Sequence, residues 1–199
     1  MKLKKFLLYV FFIGINLSVI SNSYSIEPDV FVQSTVNRAS QVLNDNLTKD
    51  QKIDKLKSIA AETVDIKGIG MYTLGSYRKI LTNDQKNEYD TLFEQYFLKT
   101  FSSRLAEYSN PEIEVRSKEI LNKNYTMVSS VLISTEQRPE VNIDWRIYTK
   151  NPDDLKVRDL IIEGLSLART QKEEFSSIIQ SNDGNIDALL LSLKEFIKL

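Results

Sequence analysis

The sequence predicts an α+β domain: a helical layer packed on a four-stranded antiparallel sheet, with helices again at the C-terminal end. Three observations predict it. Apolar residues recur at helical spacing through the first half of the chain, the spacing changes to alternation after Asn110-Pro111, and it becomes helical again after Ser166. Helices segregated from one antiparallel sheet define that class.

The first 25 residues read as a cleaved leader. Lys2, Lys4 and Lys5 precede a nearly unbroken apolar run over 6–15, and Ser23-Tyr24-Ser25 supplies small residues for a cut near Ser25/Ile26. Asn16 and Ser18 interrupt the run too early for the ~20 apolar residues of a membrane anchor. The expected working domain is therefore 26–199.

The leader holds three of the 26 Lys+Arg and none of the 27 Asp+Glu, so the remaining 174 residues carry a net charge of −4. That length suits one domain with a sizeable core. A mildly acidic chain without a Lys/Arg block lacks the footprint of a nucleic-acid binder and the polybasic face that holds a protein on an anionic membrane. It has no Cys and no His. The common zinc ligands are therefore missing, and Ser–His and Cys–His catalysis is excluded.

Pro28 and Asp29 start a first helix, whose Val32, Val36, Ala39 and Leu43 recur at helical spacing until Asn44-Asp45-Asn46. Thr48 and Gln51 form the capping box of a second, with Ile53, Leu56, Ile59, Ala60 and Val64 on one side. A short third helix over 65–74 contains Gly68 and Gly70, which suit close packing better than helix strength, and Gly75 stops it. The longest helix, over 82–108, opens on a second capping box, Thr82 with Gln85. Its Tyr89, Leu92, Phe93, Tyr96, Phe97 and Phe101 cover about half the circumference, wider than the ~100° arc of an ordinary surface helix. Such a face needs a broad apolar partner: a sheet beneath it, or a greasy cavity that the aromatics wall.

Strands follow over 112–122, 125–135, 141–148 and 155–165, separated by Asn/Lys, Gln-Arg-Pro and Asn-Pro-Asp-Asp turn signals. Val141, Ile143, Trp145 and Ile147 alternate with Asn142, Asp144, Arg146 and Tyr148, a strand with one wet face. Short connections favour an antiparallel meander. Gly164 lets the chain turn from strand to helix, Ser166 caps a helix carrying Leu167, Phe175, Ile178 and Ile179, and Asn185 begins the last one.

Two stretches then resemble the signatures of the MlaC family, periplasmic phospholipid-binding proteins also called toluene-tolerance auxiliary components. One is Leu74-Gly75-Ser76-Tyr77-Arg78 with Leu81-Thr82-Asn83-Asp84-Gln85 and the aromatic helix. The other runs from Val157-Arg158-Asp159-Leu160 through Glu163-Gly164-Leu165-Ser166 to Phe175, after a strand, Val141 to Arg146, that fits. Leu155, Tyr77 and Thr170-Gln171-Lys172 depart from the pattern, where the family often has Trp, Trp and Asn-Tyr-Arg. The resemblance implies a twisted sheet with an apolar pocket between the layers for phospholipid acyl chains. It implies no enzyme, no metal and no cofactor. The implied partners are an outer-membrane lipoprotein complex and an inner-membrane ABC transporter with an MCE-domain subunit, which a monomeric carrier would serve to maintain outer-membrane lipid asymmetry.

On that reading the wall comprises Phe93, Phe97 and Phe101 from the long helix and Val131, Ile143, Trp145, Leu160 and Ile162 from the sheet, with Leu74 and Tyr77 near the mouth. Each of these side chains equally suits a filled core. Rival readings are a carrier of another hydrophobic lipid such as a hopanoid, an enzyme using a single carboxylate (Asp144 or Asp159), and a solid-cored interaction module. Arg78, Arg146 and Arg158 suit either salt bridges, with Asp159 among the acids, or a phosphate headgroup.

Overall fold

The computed structural model describes residues 26–108, 111–136 and 138–198; the expected leader and the turn positions Asn110 and Gln137 lie outside them. The N-terminal half is helical: α1 (Pro28–Asn44), α2 (Lys49–Thr63), α3 (Ile66–Thr73), a 3-10 turn over Gly75–Lys79, and α4 (Asn83–Leu105). Both capping boxes form. Thr48 and Gln51 exchange bonds of 3.3 and 3.0 Å, and Thr82 and Gln85 bonds of 3.2 and 3.1 Å, which satisfy N–H groups that a helix start leaves without partners. Gly75, at φ +57°, ends α3 in the left-handed conformation that favours glycine. Gly70 has a packing role: a Cβ there would lie 2.8 Å from the Phe93 ring.

Five strands form one antiparallel sheet in the order β1 (Ile113–Asn122), β2 (Tyr125–Leu132), β3 (Val141–Tyr148), β4 (Lys156–Ile162), β5 (Leu165–Ser166). The fifth strand corrects the expected four. Glu163 and Gly164 both have positive φ, 49° and 80°, the geometry of a tight two-residue hairpin. The single run expected over 155–165 therefore folds back on itself, and Gly164 turns strand to strand. β2 stops at Leu132, three residues early, because Thr135 pairs instead with Arg138.

The register sorts the faces, since directly paired residues share one. Trp145 pairs with Val128 and Leu160, Ile143 with Ser130 and Ile162, and Ile162 with Leu165. All seven lie on one face, here called the apolar face. Helix α1 lays Val32 and Val36 on it, over β1 and β2.

After the sheet, α5 (Leu167–Gln180) and α6 (Ile186–Lys198) complete a second core with α3 and α4. Ser166 accepts the Arg169 N–H at 3.1 Å and Asn185 the Asp187 N–H at 3.0 Å, so both helices start where their capping residues stand. The two cores meet at Val64, which packs against both. Val64 also bridges to Val157, and the Asp65 N–H donates to the Val157 carbonyl at 3.0 Å, so the helical layer hangs from the edge of β4.

Candidate functional site

The aromatic stripe of α4 is closed at one end and open at the other. Tyr89 and Phe93 are fully buried; Phe93 stacks on Tyr89 at 5.6 Å and meets Phe175 edge-on at 6.2 Å. The Tyr89 hydroxyl lies 2.8 Å from Thr73 Oγ1 and donates to the Gly70 carbonyl at 3.1 Å, and burial pushes its phenol pKa up. Two turns on, Phe97 and Phe101 stack on each other at 5.5 Å and are only half-buried. Helix α4 packs on α2, α3 and α6 rather than on the sheet. Its wide apolar face is thus not explained by strands beneath it.

The residues expected to form the wall fall into three groups. Leu74, Tyr77, Phe93 and Phe97 gather in the helical core, with Phe101 stacked on Phe97 at its open end. Ile143, Trp145 and Leu160 gather in the sheet core, and Ile162 joins them by register. Val131 is with neither group: it pairs with Asn142 and Glu114, which places it on the opposite face. That corrects its expected position. The two-residue period of β2, which carries Val128 and Leu132 on the other side, excludes it. Trp145 is pinned by its indole N–H, which donates to Ser130 Oγ at 2.9 Å, while that hydroxyl donates to the Ile143 carbonyl at 3.1 Å.

Coverage across the apolar face is uneven. Over β2 and β3, Val128, Ile147 and Trp145 are buried, whereas on β4 Leu160 and Ile162 are half-buried and Leu165 on β5 is 59 % exposed. Leu165 is the residue that the sequence reading missed. Its signal was Glu163-Gly164: a two-residue hairpin there returns the next apolar side chain to the face of Ile162.

Two clefts flank the helix–sheet junction, and neither is an apolar chamber. One, of about 510 Å³, opens between the α2–α3 junction, α4 and the β3–β4 hairpin, with Asp65, Asp90, Glu94 and Asp154 among its walls. The other, of about 310 Å³, lies under α3 on the face opposite Trp145. There Arg158 donates to Asp65 at 2.6 Å and to the Tyr125 hydroxyl at 3.0 Å and stacks over Tyr148 at 4.2 Å. Burial opposes its charge, but the bonds and charge of Asp65 outweigh that and raise its pKa. No group of three or more His, Cys, Asp or Glu suited to a metal occurs among the described residues.

The two carboxylates considered for catalysis hold structure. Asp159 accepts the Ser166 hydroxyl at 2.6 Å and the Ala168 N–H at 3.0 Å, which fixes the start of α5, and Arg146 stands 3.8 Å away. Asp144 accepts the Ser129 hydroxyl at 2.6 Å. Arg78 donates to the Gly75 carbonyl at 2.9 Å. Where the sequence departs from the family pattern, Gln171 accepts the Tyr96 hydroxyl at 2.8 Å and Leu155 is buried in the sheet core.

A family model described as MlaC protein matches residues 33–195, nearly the whole described chain. The chain belongs to the MlaC family. A solved structure with the same fold is that of a phospholipid-binding protein from Ralstonia solanacearum in complex with a phospholipid, at 1.53 Å resolution. It superposes with a TM-score of 0.73 at 21 % identity, covering 87 % of this chain and 98 % of that one.

Proposed function

We propose that this protein is a soluble periplasmic phospholipid carrier, exported through a cleaved leader over 1–25. On this reading it shuttles lipid between an outer-membrane lipoprotein complex and an inner-membrane MCE-domain ABC transporter as a monomer, and so maintains outer-membrane lipid asymmetry. One observation carries the reading: within a chain of this family, two apolar stripes become steadily more exposed toward one end. Leu160, Ile162 and Leu165 carry the apolar face from half-buried to exposed, and Phe97 and Phe101 carry the α4 stripe to the half-buried end of the helical core. Acyl chains held between them rest on Ile143 and Trp145, with Leu74, Tyr77 and Phe93 closing the helical side. Val131 has no part in this wall.

The energetics suit a carrier. Each methylene withdrawn from water is worth about 0.8 kcal/mol, so two acyl chains amount to some tens of kcal/mol. A protein that encloses them returns most of that cost, and the exchange with a bilayer becomes nearly balanced. No catalytic group, metal or cofactor is required; the phospholipid is cargo. Organic extraction of the purified protein followed by lipid mass spectrometry tests the proposal. Two-chain phospholipid in near-stoichiometric amount is the expected result. A polycyclic lipid would reassign the cargo, and an extract free of lipid would overturn the reading.

A further inference from the structure

The 310 Å³ cleft under α3 has an unusual charge arrangement. Of its two arginines, Arg158 is fully engaged by Asp65, Tyr125 and Tyr148. Arg146 is not. Among the described residues it forms one ion pair, with Asp159 at 3.8 Å, too long for a hydrogen bond, and that carboxylate already accepts the Ser166 hydroxyl and the Ala168 N–H. The guanidinium, with a side chain 40 % exposed, therefore presents its fork of donors to the cleft. At the rim the Lys172 ammonium lies 5.4 Å over the Tyr72 ring, and no described carboxylate pairs with it. The remaining wall is mostly apolar: Ile69, Tyr72, Leu121 and the ring of Tyr125.

We propose that this cleft is a second binding site, separate from the cargo wall, for the oxyanion end of a single-tailed amphiphile: a singly charged phosphate or carboxylate joined to a short apolar segment. An arginine fork binds either oxyanion through paired N–H bonds, strengthened where water is partly excluded. Asp159 stands beside the guanidinium, so a single negative charge fits better than two. The apolar segment lies against Tyr72 and Leu121, both more than 40 % exposed. The sheet itself separates this site from Trp145 and Leu160, so the inference does not depend on the cargo reading.

The test titrates octyl phosphate, octanoate and octanol against the whole protein and against its Leu165→Glu variant, following the ring NMR signals of Tyr72 and Tyr125. Saturable shifts with one or both anions, in both proteins, are expected, and which anion binds identifies the oxyanion. Arg146→Gln should weaken binding at least tenfold, Arg146→Lys less, and Leu121→Glu at the rim should weaken it without touching the arginine. Equal binding by octanol, unchanged affinity in Arg146→Gln, or anion shifts that vanish in Leu165→Glu would overturn the second site.

Discussion

The helical core around Phe93 and the apolar face of β4 and β5 are made from the same kinds of side chain and behave as opposites. Around Phe93 every direction is filled: Tyr89, Phe175 and Tyr96 take its ring, and Gly70 has no side chain because one would collide with it. On β4 and β5 the side chains point the right way, yet they are only partly covered among the described residues, and exposure rises from buried Trp145 through Leu160 to Leu165. Periodicity tells which way a side chain points. Coverage, which depends on a second element, decides whether it serves stability or remains free for a ligand.

The largest effect expected from breaking this contrast is at its closed end. Phe93→Ala removes a buried ring from a packed aromatic cluster and should cost about 3–5 kcal/mol in denaturant unfolding. Any lipid lost should track the unfolded fraction. A variant that kept its stability while shedding lipid would place Phe93 in the open region.

Asp159→Ala should come next, at about 2 kcal/mol, because the buried Ala168 N–H and the Ser166 hydroxyl lose their acceptor together. Hydrogen exchange of the first turn of α5 should rise first. An unchanged unfolding midpoint would show that water replaces the carboxylate fully.

Tyr89→Phe should cost about 1 kcal/mol at neutral pH, since Thr73 keeps its bond to the Gly70 carbonyl. Its pH dependence is sharper. Burial holds the folded phenol protonated above the ~10 at which an unfolded tyrosine ionises. The unfolded state then binds fewer protons, so stability is full below that pH and falls as pH rises beyond it. The phenylalanine variant should lose less stability between neutral and alkaline pH than the parent protein.

Much of the fold was legible in the sequence because local chemistry and tertiary structure agree. Thr48 with Gln51, Thr82 with Gln85 and Ser166 each cap the helix they announce, and the alternation from Val141 to Tyr148 reads off the faces of β3 directly. The failures share one physical cause. Val131, Val128 and Leu132 are all apolar, so composition does not set the register of β2; the antiparallel pairing with Asn142 does. Glu163-Gly164 looked like an exit to a helix because a two-residue strand carries no periodicity of its own. The sites were less legible still. That Phe93 and Ile143 pack in two different cores, which meet at Val64, is set by tertiary packing that neither element's periodicity carries.

The smallest effect on stability should come with the largest on binding. Leu165→Glu changes a side chain that is mostly exposed on a two-residue edge strand, so its folding free energy should move by no more than about 0.5 kcal/mol. If the apolar face ends there only because the protein does, nothing else should change. If lipid completes it, a buried carboxylate facing hydrocarbon is costly enough to expel the chains, and co-purifying phospholipid should disappear from an otherwise native protein. Leu191→Glu, comparably exposed but on α6, is the matched control and should keep its lipid. Loss of lipid in both variants, or in neither, would remove the distinction between an uncovered surface and a site.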